Sequence, residues 1–395
     1  METVFLRKGE DRRLRIGHLW VFSNEIDTAR SPLSSFRAGE SVLVADSGGR
    51  VLGTGYINPS SLIAVRMISR RGDEVLGPDM LRRRLADALA LRERLFNVPF
   101  YRLCHGEGDF LPGLVIDRHG EHVVCQISTA GMDAHTEEVL EVVEELLHPS
   151  DILLDNDLAA RDLEGLPRFQ REAFGHVPEE AAIEENGMRY TVSLKGGQKT
   201  GWFYDQRVNR ATLASFVQAR PGCEVLDAFC YAGAFGALAA KSGAGSVCFL
   251  DASSQALSYA DRNAEPFVQK RETLQGDALT LLSDMRREGR KFDVVCLDPP
   301  AFIKRKKDFR QGMEAYQRVN ELGIDLVRPG GIFMTCSCSH HLPAEDLRGI
   351  VTRAAGKRRR MARLLFQGFQ GADHPIHPAM PETAYLKTFL FQFPE

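Results

Sequence analysis

Five segments of this sequence place a carboxylate or a thiol at or just beyond the end of a candidate strand. The first reads Val225-Leu226-Asp227-Ala228-Phe229-Cys230-Tyr231-Ala232-Gly233-Ala234-Phe235-Gly236. An acid that ends a strand suits a cationic or polar ligand, and Gly233 lets that ligand approach the backbone closely. The pattern is not G-x-G-x-x-G, so it does not ask for a dinucleotide pyrophosphate. Asp251 follows the apolar run Ser246–Leu250. An acid at a second strand end can grip a ribose diol, or it can cap a helix running from Ser254. Asp277, in Gln275-Gly276-Asp277-Ala278, has the same two readings, an adenine amino group or a helix cap. Together the three acids describe a nucleoside site without a phosphate site.

The fourth segment is Asp298-Pro299-Pro300-Ala301-Phe302, followed by Lys304-Arg305-Lys306-Lys307. Two prolines cannot continue a sheet ladder, so they fix the backbone and hold Asp298 at the sheet edge. The basic run beside it is placed to grip phosphates. The fifth is Thr335-Cys336-Ser337-Cys338-Ser339-His340-His341, after Pro329-Gly330-Gly331, which reads as a turn. Two Cys and two His suggest a metal, but the spacing is poor for a structural zinc site, and no metal is expected. Inert buried thiols are one alternative. A nucleophilic Cys beside the Asp298 tip is the other.

Positioning these tips requires a parallel sheet. Candidate strands are Glu224–Asp227, Ser246–Asp251, Glu272–Gln275, Phe292–Leu297 and Gly331–Thr335, with helical patterns between them. Such alternation implies βαβ units, and ligands bind beyond the C-terminal strand ends. Upstream, Glu40–Asp46 and Val51–Ile57 flank a Ser47-Gly48-Gly49-Arg50 turn, and short strands at this spacing suggest a small barrel. Leu81, Leu85, Ala88 and Leu89 share a helical face, with Asp79 as its expected N-cap. Val115–Asp117 and Val123–Gln126 read as a hairpin about His119-Gly120. Val139, Val142, Val143, Leu146 and Leu147 form a helical stripe, and Ile152–Leu154 is a short strand. Asn186-Gly187 is a hairpin turn. The expected domains are 1–72, 73–185 and 186–395.

Composition excludes several classes. The 395 residues are 44% hydrophobic and 26% charged, with 35 glycines and 18 prolines. This is neither a disordered nor a fibrous chain. No apolar run approaches the roughly 18 residues of a membrane helix, and the first residues lack the apolar core of a signal peptide. A cytoplasmic location is expected, and eight cysteines without regular spacing fit free thiols. The net charge of −3 announces no nucleic-acid partner, yet basic residues cluster at Arg12/Arg13/Arg15, Arg82–Arg84, Lys304–Lys307 and Lys357–Arg360.

These motifs resemble class I S-adenosylmethionine-dependent methyltransferases. Nearly the whole chain is similar to the bacterial 23S rRNA 5-methylcytosine methyltransferase I family. The matching segments are Arg7-Lys8-Gly9-Glu10 through Gly17-His18-Leu19-Trp20-Val21-Phe22-Ser23, Gly106 to Arg118, Thr200 to Arg207, and Gly371-Ala372-Asp373-His374-Pro375. The resemblance implies an α/β protein. It would join a small PUA-like RNA-binding β-barrel, an α+β middle domain and a Rossmann-like seven-stranded methyltransferase sheet. It implies S-adenosylmethionine as cofactor and 23S rRNA as partner. It is compatible with a homodimer, which no sequence feature demands. By position, Asp227, Phe229 and Gly233 fall in the family's first cofactor motif. Asp251 matches its ribose acid, Asp277 its adenine-side residue, and Asp298 with Pro299 its Asp-Pro-Pro motif. Asp205, Gln206 and Arg207 match a segment that covers the cofactor.

The resemblance also implies covalent catalysis. Carbon 5 of cytosine is a weak nucleophile until a thiolate adds at carbon 6. The second cysteine of the Thr-Cys-Ser-Cys-Ser run aligns with the family nucleophile, which selects Cys338 with Cys336 as fallback. Asp298 would bond the cytosine edge or protonate ring nitrogen 3. Many related enzymes carry a Cys directly after Pro-Pro. Here that position is Ala301, which fits a single-cysteine mechanism. Two rivals stand beside this reading. Asp-Pro-Pro with an aromatic is also a signature of base-nitrogen methylation, although Phe302 comes one residue late. A non-catalytic RNA-binding assembly factor would need degraded strand tips, which this chain does not have.

Overall fold

A parallel strand covered by helices on both faces reads as an unbroken apolar run. Phe292–Leu297 is such a run but for Asp293, and every residue of it is buried in the computed structural model, which describes residues 1–195 and 201–394. The chain forms two compact units. One comprises 1–181, 193–204 and 372–383; the other comprises 182–192, 205–371 and the stretch from Ala384.

The second unit holds a seven-stranded sheet. Its strands are β1 (Glu224–Ala228), β2 (Ser246–Asp251), β3 (Lys270–Gln275), β4 (Phe292–Leu297), β5 (Val327–Ser337), β6 (Arg363–Gly368) and β7 (Lys387–Gln392). The spatial order is β3-β2-β1-β4-β5-β7-β6. The first five are mutually parallel, and β7 runs antiparallel to both β5 and β6. The order reverses direction between β1 and β4, which opens a crevice beyond their C-terminal ends. The helices are α1 (Arg207–Gln218), α2 (Ala234–Lys241), α3 (Ser254–Ala264), α4 (Ala278–Arg287), α5 (Phe309–Leu326) and α6 (Ala344–Lys357). One core gathers Leu226 of β1, Val295 of β4, Phe333 of β5, Val319 of α5, Ile350 of α6 and Phe389 of β7.

Sequence patterning places β2 and β4 at their observed limits. It shortens β5, because Pro329-Gly330-Gly331 lies inside the observed strand rather than ahead of it. The register shifts there opposite Phe292 and Val294, and Gly330 takes φ +75°. The strands β6 and β7 carry no sequence expectation.

In the first unit, five strands run in the order Glu2–Phe5, Glu40–Ala45, Val51–Ile57, Ile63–Ser69 and Trp20–Phe22. A bridge between Leu6 and Ile26 joins the two edges, which makes the expected small barrel. A second five-stranded sheet includes the hairpin Leu114–His119 and His122–Ile127 and the strand Asp151–Asp155. The helices Pro78–Leu95 and Thr136–Leu147 belong to the same apolar core. Asp79 is not the N-cap of the first helix. Gly77 holds that position and Pro78 opens the helix, where a missing N–H costs nothing. Arg92 is fully buried in that helix, bonded to both oxygens of Asp109 at 2.6 and 2.7 Å. The Asn186-Gly187 turn has positive φ at both residues, as a two-residue hairpin loop requires.

Candidate active site

The tip of β1 is built under strain. Phe229 and Tyr231 adopt φ +61° and +50°, and Gly233 adopts φ +73°. Left-handed backbone at non-glycine residues is uncommon and clusters at functional sites. It is held here by hydrogen bonds to β2. Phe229 N and Cys230 N donate to Leu250 O at 2.8 and 3.1 Å, and Tyr231 N donates to Asp251 Oδ2 at 2.9 Å. Gly233 is required sterically as well, since a Cβ there would lie 2.6 Å from Ala260 Cβ.

Asp227 is fully buried behind this turn. Its Oδ2 accepts from Gly236 N at 2.8 Å, and its Oδ1 has no hydrogen-bond partner among the described residues. Burial lifts its titration to about 7. The charges of Asp298 and Asp251 add to the lift, while the Gly236 N–H and Arg210 oppose it. Asp251 is half-buried, and its Oδ1 accepts from Ser253 N at 3.0 Å. It is not the cap of α3; Ser253 is, accepting from Ala256 N. Asp277 does cap α4. Its Oδ1 accepts from Thr280 N and Thr280 Oγ1, both at 2.9 Å, and the residue is exposed.

Asp205, Gln206 and Arg207 enter α1. Asp205 Oδ2 accepts from Tyr385 Oη at 2.6 Å, and its carbonyl accepts from Gly371 N at 2.9 Å. Gln206 accepts from Asn209 Nδ2 at 2.6 Å and hydrogen-bonds the Cys336 thiol. Arg207 faces Glu185 at 3.8 Å, and Arg210 grips the same carboxylate at 2.7 and 3.0 Å in a fully buried pair. Thr200, in the same matched segment, lies outside the described residues.

The tips of β4 and β5 are fastened to each other. Asp298 is half-buried at the end of β4, where its N–H reaches Ala228 O at 3.3 Å, and Pro299 is buried behind it. Ser339 Oγ accepts from Ile303 N at 3.1 Å and shares a hydrogen bond with Tyr316 Oη at 2.9 Å. Ser337 Oγ donates to Tyr316 Oη at 2.8 Å. Tyr316, on α5, packs its ring against Phe302 at 4.8 Å. Cys338 stands just past β5 and is half-buried, whereas the other seven cysteines are buried. Cys336 is sealed inside β5, where Thr388 Oγ1 donates to its sulfur at 3.3 Å and burial pushes its thiol well above the ordinary range. Of the two candidate thiols, Cys338 alone is open to solvent. Lys304, Arg305, Lys306 and Lys307 are all exposed on the loop before α5. Arg305 bonds Asp308, and among the described residues the three lysines have no ion pair.

Sequence reading missed Tyr316, Ser337, Ser339, Tyr385 and Lys387. Ser337 and Ser339 stand in the Thr-Cys-Ser-Cys-Ser run without a role of their own there, the other three belong to no motif, and only the packing of α5 and β7 against β5 brings them all to the tips. Among the described residues no group of His, Cys, Asp and Glu gathers as a metal site, and no helix is long and apolar enough to cross a membrane.

The donor set fits S-adenosylmethionine. A buried carboxylate oxygen without a partner suits an ammonium or sulfonium, and an acid at the second strand tip suits a ribose. Nothing at the β1 turn is built for phosphate. The sheet and this site define a class I methyltransferase. Residues 171–392 match the S-adenosylmethionine-dependent methyltransferase family, and residues 4–70 match a PUA-like domain. Two solved structures share the fold. A proposed SAM-dependent methyltransferase from Streptococcus mutans aligns with TM-score 0.84 at 19% identity, covering 99% of this chain and 100% of that one. A methyltransferase complexed with SAH aligns with TM-score 0.85 at the same identity and coverage. Among curated proteins, ribosomal RNA large subunit methyltransferase I of Tolumonas auensis is 37% identical over 393 residues, 98% of each chain. Its namesake from Photobacterium profundum is 36% identical over 394 residues, again 98% of each. The chain belongs to the ribosomal RNA large subunit methyltransferase I family, and its cofactor is S-adenosylmethionine.

Proposed function

We propose that this protein methylates carbon 5 of a cytosine in large-subunit ribosomal RNA through a covalent adduct on Cys338. The observation that carries the reading is a half-buried thiol just past the end of β5 and an acid just past the end of the neighbouring strand β4. The family supports an RNA substrate. Methylation of a base nitrogen needs no thiol and leaves Cys338 without a role.

When bound, S-adenosylmethionine supplies an electrophilic methyl group. Asp227, Gly233 and Asp251 would hold it, with Phe229, Asp277 and Pro299 at the rim and Asp205, Gln206 and Arg207 covering it. Cys338 Sγ adds to carbon 6 of the cytosine, which turns carbon 5 into the nucleophile that methylation requires. Asp298 holds the base edge and donates to ring nitrogen 3 as the negative charge forms there. A base then takes the carbon 5 proton, the carbon 6–sulfur bond breaks to release the thiolate, and ring nitrogen 3 returns its proton to Asp298. The target must leave its stack to reach the tips. Residues 1–72 serve as the RNA-binding domain, residues 73–185 form a middle domain, and residues 186–395 carry the chemistry. Lys304, Arg305, Lys306 and Lys307 contact backbone phosphates.

The test is a trapping assay with S-adenosylmethionine and large-subunit rRNA containing 5-fluorocytosine. Fluorine blocks the final elimination, so a carbon 5 enzyme stays bound to its RNA. Wild type gives a covalent complex and Cys338→Ala gives none. Methyl transfer to unmodified rRNA without any trapped complex would overturn the carbon 5 chemistry and favour nitrogen as the acceptor.

A further inference from the structure

Lys387 opens β7. Its Cα pairs with Ser337, the last residue of β5, one position before Cys338. Its side chain is 9% exposed. Nζ donates to Ser339 O at 2.6 Å and to Tyr385 O at 2.7 Å. Ser339 is the residue after Cys338, so the ammonium is anchored on the turn that carries the thiol. Among the described residues no carboxylate pairs with it. A buried ammonium without a carboxylate is costly, and a neutral donor would serve equally well to bridge two carbonyls. The charge itself therefore has a use.

We propose that Lys387 is a positioning residue for the methylation reaction: fixed on the carbonyls of Ser339 and Tyr385, its ammonium holds Cys338 as the thiolate that attacks the base. The inference rests on the reading of Cys338 as nucleophile. Burial pushes the Lys387 ammonium down to about 8, and its attraction to the Cys338 sulfur works against that fall. Lys387 thus remains mainly protonated at pH 7. Two of the other titratable groups near Cys338 carry no positive charge at any pH. Tyr316 of α5 and Cys336 of β5 are neutral acids that burial makes weaker still. Asp298 at the β4 tip is an acid that acts on Cys336. His340 and His341 follow in the same turn. An unassisted thiol near pKa 8.5 is only a few per cent thiolate at pH 7. A fixed cation beside it raises the reactive fraction about tenfold for each unit of lowering.

The test is alkylation of the full-length protein by iodoacetamide across pH 5 to 10, without RNA, followed on the Cys338 peptide by mass spectrometry. The other seven cysteines are buried, so the native protein reports mainly on Cys338. Wild type is expected to reach half-maximal rate at least one unit below about 8.5. Lys387→Met moves that midpoint up by about one unit or more and slows alkylation at pH 7 about tenfold, while Lys387→Arg keeps the wild-type midpoint. A loss of packing alone would not be rescued by Arg. Calorimetric binding of S-adenosylmethionine checks that each variant is folded. A wild-type midpoint at or above 8.5 overturns the proposal without any variant, as does an unchanged midpoint in folded Lys387→Met. The 5-fluorocytosine assay reads the carbon 5 chemistry separately. Failure to trap RNA with a Lys387-dependent thiol would sink that chemistry and with it the role of Lys387 in methylation, leaving only its effect on the Cys338 thiol.

Discussion

Replacing Asp227 by Asn should stabilise the ligand-free protein and weaken its hold on the cofactor, both for one reason. The carboxylate is fully buried, with Oδ1 unpartnered among the described residues, and burial raises its pKa from 3.8 to about 7. The folded pKa lies above the unfolded one. Folding therefore takes up a proton between about pH 4 and 7, and stability falls as pH rises through that window. Three units amount to ~4 kcal/mol lost by pH 8. An amide carries no such cost and still offers one oxygen to Gly236 N. Ligand-free Asp227→Asn should therefore melt above wild type at pH 8, with a gain of up to ~4 kcal/mol that vanishes near pH 4. Cofactor affinity should move the other way. Losing one charge-assisted hydrogen bond costs ~1.5–3 kcal/mol, or roughly 10- to 100-fold in Kd. Wild-type affinity should also rise about eightfold from pH 6 to pH 7.5, as the carboxylate ionises for its cationic ligand, and Asp227→Asn should lose that dependence. Scanning calorimetry of ligand-free protein at three pH values and titration calorimetry with S-adenosylmethionine read both effects. A variant that melts at or below wild type at pH 8, or binds the cofactor equally well, refutes the reasoning.

Two further outcomes follow from charges elsewhere in the unit. Arg210→Met removes the two-point partner of the buried Glu185 carboxylate and should cost ~3–5 kcal/mol of stability, while the double change Arg210→Met with Glu185→Leu should recover most of it; thermal melts of wild type and the two variants decide. Changing Lys304, Lys306 and Lys307 together to Glu should weaken rRNA binding and flatten its salt dependence by ~0.7 per lost phosphate contact. Cofactor affinity should stay intact, and an unchanged salt slope would remove this loop from the RNA interface.

The sheet was legible where burial is two-sided. The strands β2 and β4 announce themselves because a strand covered on both faces must be largely apolar, as Val247–Leu250 and Val294–Leu297 are. β6 is an edge strand whose first three residues are exposed, so its composition carries little signal. β7 is apolar, but nothing local says that it inserts antiparallel between β5 and β6. The same distinction divides the site. Asp227, Asp251 and Asp298 could be listed from the sequence because each stands at the end of a recognisable strand, whereas Cys338 was chosen over Cys336 through the family resemblance. Asp205, Gln206 and Arg207 came only from family resemblance, since the residues they meet, Tyr385 and Cys336 among them, are far away in the chain. Asp79 failed as a cap for a simpler reason. Pro78 is favoured at the first helical position, and the helix therefore starts two residues earlier than a capping Asp would place it.

Choosing between Cys336 and Cys338 shows what geometry adds to spacing. The two thiols stand two residues apart, so an unbroken strand would send both to one face. β5 ends at Ser337, and the chain beyond it is set by a side-chain network. Tyr316 Oη meets Ser337 Oγ and Ser339 Oγ, Ser339 N reaches back to Ser337 Oγ at 3.2 Å, and Ser339 Oγ takes the Ile303 N–H from beyond the Asp-Pro-Pro segment. These bonds turn Cys338 out of the strand beside the β4 tip, while Cys336 stays under Thr388. The serines flanking Cys338 thus separate a half-buried thiol outside the strand from a sealed thiol within it. Their value depends on a tyrosine from α5, which is why the run Thr-Cys-Ser-Cys-Ser has meaning only on this sheet.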